Sequence, residues 1–444
     1  MIINNKASLK RTLISNTVNH VDEDVLIKGW VRIRRDHGKL IFLDIRDRSG
    51  FLQVVVNPKV SESSYAVAQT LKPEFAVEIL GKVNKRPTGT INKDLATGGI
   101  EIEAVNISVL SKAETLPFDM GSEKLHLELP TLLDHRSLTL RHPKVKEIFE
   151  VQAKVLEGFR KVAEELDCTE IVVPTIVASA TEGGAELFEV KYYDHKAYLS
   201  QSPQLYKQMM VPVFERVWTI SHAYRAEPSV TTRHLSETTQ LDFELGFVTF
   251  EELLDLFEKV AVEMFRHVED RCSYVERIEY GKIPRLTLRE AQGVIYKEYS
   301  RDNRKEKDLT PQDEIDICKW AKDTHKSDLV TITHFPSKAK PFYIMPDSKN
   351  PEYSLSYDLL FKGVEILSGG QRVHDCDQLI KAIEDRGMRV ADFEMYLMAF
   401  KYGMPPEGGF SFGLERITMK LLGLSNIREA SLFPRDMERV DERF

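Results

Sequence analysis

The stretch that most constrains the fold is 224–247, YRAEPSVTTRHLSETTQLDFELGF. Its second half alternates. Leu241, Phe243, Leu245 and Phe247 are apolar, with Gln240, Asp242 and Glu244 between or beside them. Alternation with period two predicts a half-buried strand, which sets Asp242 and Glu244 on one face and the apolar side chains on the other. Upstream, Arg225 and Glu227 precede a Pro228-Ser229 turn and an Arg233-His234 pair. The stretch therefore predicts two antiparallel strands joined by a loop. The first brings in a fixed cation and the second displays carboxylates. Arginine is planar, always charged and able to grip phosphate or carboxylate with two parallel bonds. Taken alone, the same pattern also makes a surface hairpin with scattered ion pairs.

A chain of 444 residues has room for two or three domains. No apolar run is long enough to span a bilayer, and MIINNKASLK lacks the apolar core of a signal peptide. The four cysteines, Cys168, Cys272, Cys318 and Cys376, stand far apart with no C-x-x-C pair, which excludes a zinc spacing. Reduced thiols in a cytoplasmic protein are the expectation. The net charge of −8 is uneven: residues 1–110 hold 16 Lys and Arg against 12 Asp and Glu. An acidic chain with a basic N-terminal module can turn that module toward nucleic acid.

Within 1–110, strand-like runs at 25–33, 40–44, 51–57, 76–83 and 100–110 are separated by turn signals such as Asp36-His37-Gly38 and Arg48-Ser49-Gly50. Five short strands, with a helix expected at 61–71, predict a small β-barrel of the OB type. Six basic side chains fall between Arg32 and Arg48, interleaved with Phe42 and followed by Phe51. Basic groups can follow a phosphate backbone while aromatic faces stack on unpaired bases. Residues 111–140, broken by Pro117, Gly121 and Pro130, read as a hinge.

From 141 onward the chain predicts an α+β domain. Apolar residues from Val145 to Leu166 recur at three and four, a long amphipathic helix. It runs into a short strand, Glu170-Ile171-Val172-Val173, closed by Pro174. TEGGAELF at 181–188 and SQSPQLYKQ at 200–208 follow, with Lys207 in the first turns of a helix. In YDLLFKGVEILSGGQR, two apolar strands flank a turn near Lys362-Gly363. A turn at 361–362 sets Asp358 opposite Glu365, and one at 362–363 sets it opposite Leu367. Either register keeps both carboxylates on one face. Such a pair suits Mg²⁺, which takes one or two carboxylates plus phosphate oxygens. GGFSFGLER at 408–416 leads into an amphipathic helix at 417–422. Neither a P-loop nor a dinucleotide fingerprint occurs. Residues 265–335 are charged, helical in places, and read as a peripheral insertion.

These blocks resemble the three motifs of the class II aminoacyl-tRNA synthetases, and most narrowly the aspartyl-tRNA synthetases of the archaeal type. The resemblance covers nearly the whole chain. It implies an N-terminal OB-fold barrel that binds the anticodon (1–110), a hinge (111–140) and a catalytic domain with an antiparallel sheet (141–444). It also implies a homodimer built on the helix–strand–proline run, with ATP, L-aspartate and tRNA(Asp) as substrates, tRNA(Asn) as a further candidate, and Mg²⁺ as cofactor. By the same resemblance, Arg225 and Arg416 carry catalysis. Glu182, Gln204, Leu205, Tyr206, Lys207, Arg225, Asp242, Ser368 and Arg372 form the aspartate site, with Lys207 and Arg372 on the side-chain carboxylate. Arg225, Ala226, Glu227, Arg233, His234, Leu235, Glu365, Gly413, Leu414, Glu415 and Arg416 surround ATP. Asp358, Glu365 and Ser368 hold the metal. Arg32, Arg35, Phe42, Gln53 and Pro87 meet the anticodon.

The chain departs from the family at Thr238, where many relatives place a phenylalanine that stacks on adenine. Two rival readings stand beside this one. The first is an asparagine-activating enzyme, either a tRNA ligase or an amide-forming synthetase on the same catalytic fold. The second is a non-catalytic RNA-binding protein. Intact Arg225, Asp358, Glu365 and Arg416 speak against the latter, and the barrel speaks against an amide-forming enzyme. Exclusion of asparagine is expected from charge, because an amide would leave Lys207 and Arg372 facing no anion.

Overall fold

The computed structural model describes residues 9–178, 186–228 and 231–440. The chain divides into two compact units at the Glu128/Leu129 junction.

The first unit is a closed barrel. Its strands are β1 (Asp24–Asp36), β2 (Ile41–Asp47), β3 (Gly50–Val56), β4 (Ala76–Lys85) and β5 (Ile100–Ser111), in the order β1-β2-β3-β5-β4, with β1 pairing back onto β4. Helix α1 (Glu62–Thr70) lies between β3 and β4 and is capped by the Ser61 hydroxyl. Period two is followed closely. Ile41, Leu43 and Ile45 on β2 and Leu52, Val54 and Val56 on β3 fill the interior. Phe42, Asp44, Phe51 and Gln53 take the alternate positions outside. At Gly29 a Cβ would strike the Arg46 carbonyl of the neighbouring strand, so the close approach of strands there needs glycine. Residues 111–128 belong to this unit, and Leu116, Phe118 and Met120 among them line a groove with Arg32, Arg34 and Leu71.

The second unit opens with α2 (Leu129–Asp134), α3 (Arg136–Thr139) and the long α4 (Pro143–Glu165). Arg136 is buried and donates to the carbonyls of Glu429, Ser431 and Leu432, tying this entry segment to the C-terminal run. Next come β6 (Thr169–Glu170), β7 (Ile176–Val177), β8 (Glu189–Tyr192), β9 (His195–Leu199), α5 (Gln204–Phe214), β10 (Arg216–Tyr224), β11 (Glu237–Gly246) and α6 (Phe250–Glu269). The remainder is β12 (Arg285–Thr287), α7 (Leu288–Tyr299), α8 (Pro311–His325), β13 (Leu329–Thr333), β14 (Ser356–Phe361), β15 (Val364–Gln371), α9 (Cys376–Glu384), α10 (Glu394–Lys401), β16 (Glu407–Gly413) and α11 (Leu414–Leu421). Eight strands form one sheet, β12-β13-β14-β15-β16-β11-β10-β6, antiparallel except for the two terminal pairs. Helices α4 and α6 cover one face. Phe159, Phe257 and Phe265 pack there against Trp218, Phe243, Tyr357 and Phe410.

Four expectations change. First, β11 is buried on both faces, not half-buried. Leu241, Phe243 and Leu245 meet the helix layer, while Asp242 and Glu244 are fully buried on the opposite face. Second, residues 265–335 are no peripheral insertion, because β12 and β13 extend the main sheet. Third, the strand expected at 170–173 pairs with β10 only through Thr169 and Glu170, and Val172 is 95% exposed. Fourth, the hairpin turn lies at Lys362-Gly363, both with positive φ as a tight two-residue turn requires. An irregularity at Ile366 then shifts the pairing by one, so Asp358 faces Ser368 and neither expected partner.

Candidate active site

A cleft of about 270 Å³ opens on the sheet face away from α4 and α6, over β11, β15 and β16. At one end lies a knot of buried charge. Helix α5 sets Gln204, Lys207 and Gln208 one turn apart, so all three meet the sheet. Lys207 Nζ lies 2.9 Å from Asp242 Oδ1 and 3.1 Å from Glu244 Oε2. Arg372, just past β15, donates from Nε to Glu244 Oε1 at 2.7 Å, and from one Nη to Glu244 Oε2 at 3.2 Å and Gln204 Oε1 at 3.3 Å. Its guanidinium also lies over the Tyr343 ring, 5.4 Å from the centroid. Burial alone would raise Glu244, yet Arg372 and Lys207 outweigh it and hold the carboxyl below the usual range. For Asp242 burial wins over Lys207, and its carboxyl sits above that range. Lys207 and Arg372 are thus paired within the protein. The expectation that an amide would leave them without an anion does not hold, because Asp242 and Glu244 already face them.

The other end is looser. Arg225 leaves β10, with its backbone tied to Ser236, and among the described residues its guanidinium makes only a 3.9 Å pair with Glu227. Arg233 reaches Glu314 on α8 at 3.0 Å and the Gly363 carbonyl at 3.1 Å. His234 bonds Thr231 at 2.6 Å. Burial pushes its ring below the ordinary histidine value, against Glu227 and with help from Arg416, Arg225 and Arg233. Arg416, on the first turns of α11, donates to the Glu365 carbonyl at 3.0 Å and lies 3.5 Å from the Glu365 carboxylate. Glu415 accepts from the Thr239 amide through both oxygens, and burial lifts it to about 7. Three guanidinium groups and one imidazole at this end of the cleft suit a polyphosphate.

Between the two ends stands an acidic pair. Asp358 on β14 and Glu365 on β15 influence one another, and Ser368 bonds Asp358. Burial first, and Glu365 next among the raising effects, lift Asp358 to about 6 in spite of Lys340, whose Nζ sits 3.1 Å from both Asp358 oxygens. Lys340 also lies over the Phe335 ring at 3.9 Å. A cation is therefore already held where the two carboxylates meet. Among the described residues no three His, Cys, Asp or Glu side chains gather into a metal-binding group. The donor set is two carboxylates and a hydroxyl, which matches an ion that completes its shell with phosphate oxygens.

The structure thus brings Gln204, Lys207, Arg225, Glu227, Arg233, His234, Leu235, Glu365, Ser368, Arg372, Gly413, Glu415 and Arg416 to one cleft. Asp242 stands behind Lys207, and Asp358 behind Lys340. Leu205 packs instead into the apolar cluster of Phe342 and Tyr396. Tyr206, Ala226 and Leu414 do not line the cleft. Glu182 lies outside the described residues. Thr238 does line the cleft, and among its described lining residues the aromatic rings are those of His234 and of Tyr343, the latter against Arg372. Sequence reasoning missed Lys340, Glu314 and Glu407. Glu244 carried a signal, since it shares the face of Asp242.

On the first unit, Arg32, Arg35, Phe51, Gln53 and Arg86 line a smaller pocket on the outside of the barrel. Arg35 forks onto Asp44 at 2.8 and 2.9 Å, and Arg32 lies over Phe51 at 5.0 Å. Gln53 donates to Glu101 at 3.0 Å. Phe42 is half-buried and packs edge-on to His37, and Pro87 is exposed on the loop after β4.

Comparison with known proteins follows this geometry. The family described as tRNA synthetases class II (D, K and N) matches residues 128–437, and an OB-fold nucleic acid binding domain matches 25–110. The chain is 39% identical over 439 residues to an aspartate–tRNA(Asp/Asn) ligase of Thermus thermophilus, covering 97% of this chain and 99% of that one. It is 38% identical over 443 residues to an aspartate–tRNA(Asp) ligase of Pyrococcus horikoshii, with the same coverage. It superposes with a TM-score of 0.88, at 29% identity and over 97% and 99% of the two chains, on the asparaginyl-tRNA synthetase of Pyrococcus horikoshii complexed with asparaginyl-adenylate. With an OB-fold barrel, a largely antiparallel sheet carrying the cleft, and a family match over most of its length, the chain belongs to the class II tRNA synthetases of the D, K and N group.

Proposed function

We propose that this chain is a cytoplasmic, homodimeric aspartate–tRNA ligase that activates L-aspartate with ATP and transfers it to tRNA(Asp) and to tRNA(Asn). The observation that carries the reading is a single cleft with a buried Lys207–Arg372 cluster at one end and Arg225, Arg233, His234 and Arg416 at the other. The names of its relatives at 38–39% identity agree. The α-carboxylate of aspartate is already a nucleophile. It attacks the α-phosphorus of ATP, and the bond to pyrophosphate breaks with its electrons on the departing oxygen. The protein's work is alignment and neutralisation of charge. Arg225, loosely paired, would bridge the attacking carboxylate and the α-phosphate. Arg416 and Arg233 take the charge that develops on pyrophosphate. A hydroxyl of the terminal adenosine of tRNA then attacks the activated carbonyl, and AMP leaves.

Magnesium fits the acidic pair. Asp358, Glu365 and Ser368 would hold it, and it would supply positive charge to the polyphosphate. The outer face of the barrel, with Phe42, Arg35 and Gln53, supports anticodon binding.

Asparagine activation is the second reading. The cluster is electrically balanced as built, and one solved relative holds asparaginyl-adenylate. The test is charging of both purified tRNAs with labelled aspartate. The two anticodons differ at one base, typically worth about 1–3 kcal/mol, so charging of tRNA(Asn) is expected within reach of tRNA(Asp). Charging of neither tRNA would refute the reading.

A further inference from the structure

Glu407 opens β16, directly before the Gly408-Gly409 pair, and is fully buried. Its surroundings fix its orientation. Tyr396 on α10 donates to Gln208 Oε1 at 3.0 Å, which turns the Gln208 amide so that Nε2 donates to Glu407 Oε1 at 2.7 Å. The other oxygen, Oε2, has no donor within the described protein. The carboxyl is in hydrogen-bonding contact with that of Glu244, whose two oxygens are taken by Arg372 and Lys207. Two ionised carboxylates in contact, both out of water, repel. A proton shared onto Glu407 removes that repulsion, and Oε2, the oxygen without a partner, is free to carry it.

We propose that Glu407 is held as the neutral acid, donates to Glu244, and thereby sets the charge of the pocket that selects the amino-acid side chain. This deepens the proposed function and rests on that reading of the cleft. The charged groups facing it are Lys207 from α5, Asp242 and Glu244 from β11, and Arg372 beyond β15. The tyrosines nearby are Tyr396 from α10 and Tyr357 from β14, which stay neutral because burial raises both. With Glu407 neutral, Lys207 and Arg372 face the carboxyls of Asp242 and Glu244 alone. Ionisation of Glu407 would add one buried negative charge and turn the pocket against an anionic side chain. Burial and Glu244 both raise Glu407 well above the usual carboxyl range, in keeping with the geometry. Glu407 is a positioning and specificity residue: it orients Glu244, and through Glu244 the fork of Arg372.

The test is the pH profile of the aspartate KM in ATP–pyrophosphate exchange for the wild type and for Glu407→Gln. Glutamine can donate to Glu244 and accept from Gln208, but it cannot ionise. In the wild type the KM is expected to climb with alkaline pH, by on the order of tenfold per unit once Glu407 titrates. The variant lacks that limb. Titration of the substrate's own ammonium is common to both proteins and cancels in the comparison. As a second readout, infrared difference spectra of the two proteins at neutral pH should show a protonated-carboxyl band in the wild type that the variant lacks. Equal alkaline limbs in two active proteins, or no such band, would overturn the role of Glu407 alone. Absence of aspartate-dependent exchange in both proteins would overturn the proposed function, and this role with it.

Discussion

The two ends of the cleft handle charge in opposite ways. At the amino-acid end the Lys207 and Arg372 side chains are 2% and 3% exposed and each is bonded to an acid. At the nucleotide end Arg225 is 45% exposed and only loosely paired. Buried, mutually bonded charges cannot move without breaking a pair, so they present one fixed pattern of donors. An exposed arginine can swing and re-pair at little cost. The contrast suits the two tasks proposed for them. Telling a carboxylate from an amide needs a rigid environment, whereas gripping a triphosphate while it changes shape needs cations that can follow it. Rigidity of that kind has a thermodynamic consequence. The Lys207–Arg372 cluster is part of what holds the fold together, and the Arg225 side chain is not.

That contrast can be broken in order of expected effect. Arg372→Met leaves Glu244 buried without its main partner, so stability in urea should fall by about 3–5 kcal/mol together with loss of aspartate activation. Arg225→Ala should leave the urea midpoint unchanged while pyrophosphate exchange falls by about 10²–10³-fold, as for the loss of one donor to a developing charge. If Arg225→Ala destabilised the protein as Arg372→Met does, the two ends would not differ. Glu415 gives a pH test. Its ordinary value is 4.5 and burial lifts it to about 7 in the folded protein. Between those values the folded state binds the extra proton, so this group costs stability as pH rises from about 4.5 through 7. Glu415→Gln keeps an acceptor for Thr239 without that cost. Its advantage over the wild type should grow across that window, toward at most on the order of 3 kcal/mol. The smallest effect concerns the barrel. Phe42→Ala should raise the tRNA KM in charging by the worth of one stack, about 1–3 kcal/mol. Exchange, which needs no tRNA, reports on the cleft alone.

The barrel was legible because its interior obeys period two over five strands, and local alternation is a local property. The same rule placed Asp242 and Glu244 on one face of β11. It could not say that α5 and Arg372 cover that face, because covering depends on residues far away in sequence. The irregularity at Ile366 defeated both expected registers of the β14–β15 hairpin, since one extra residue in a strand leaves no mark in an apolar pattern. Short β12 and β13 vanished into a charged, helical stretch for a related reason: three to five residues carry too little periodicity to declare a strand. Lys340 and Glu407 lie outside any alternating run, and only the folded chain shows that one meets Asp358 and the other Glu244.

The central claim is that the buried cluster around Lys207 and Arg372 is tuned to an anionic side chain. The most direct measurement is ATP–pyrophosphate exchange by the purified protein with aspartate and with asparagine, each alone. Exchange driven by aspartate and not by asparagine is the expected result. Exchange driven by asparagine, or by neither amino acid, would contradict it.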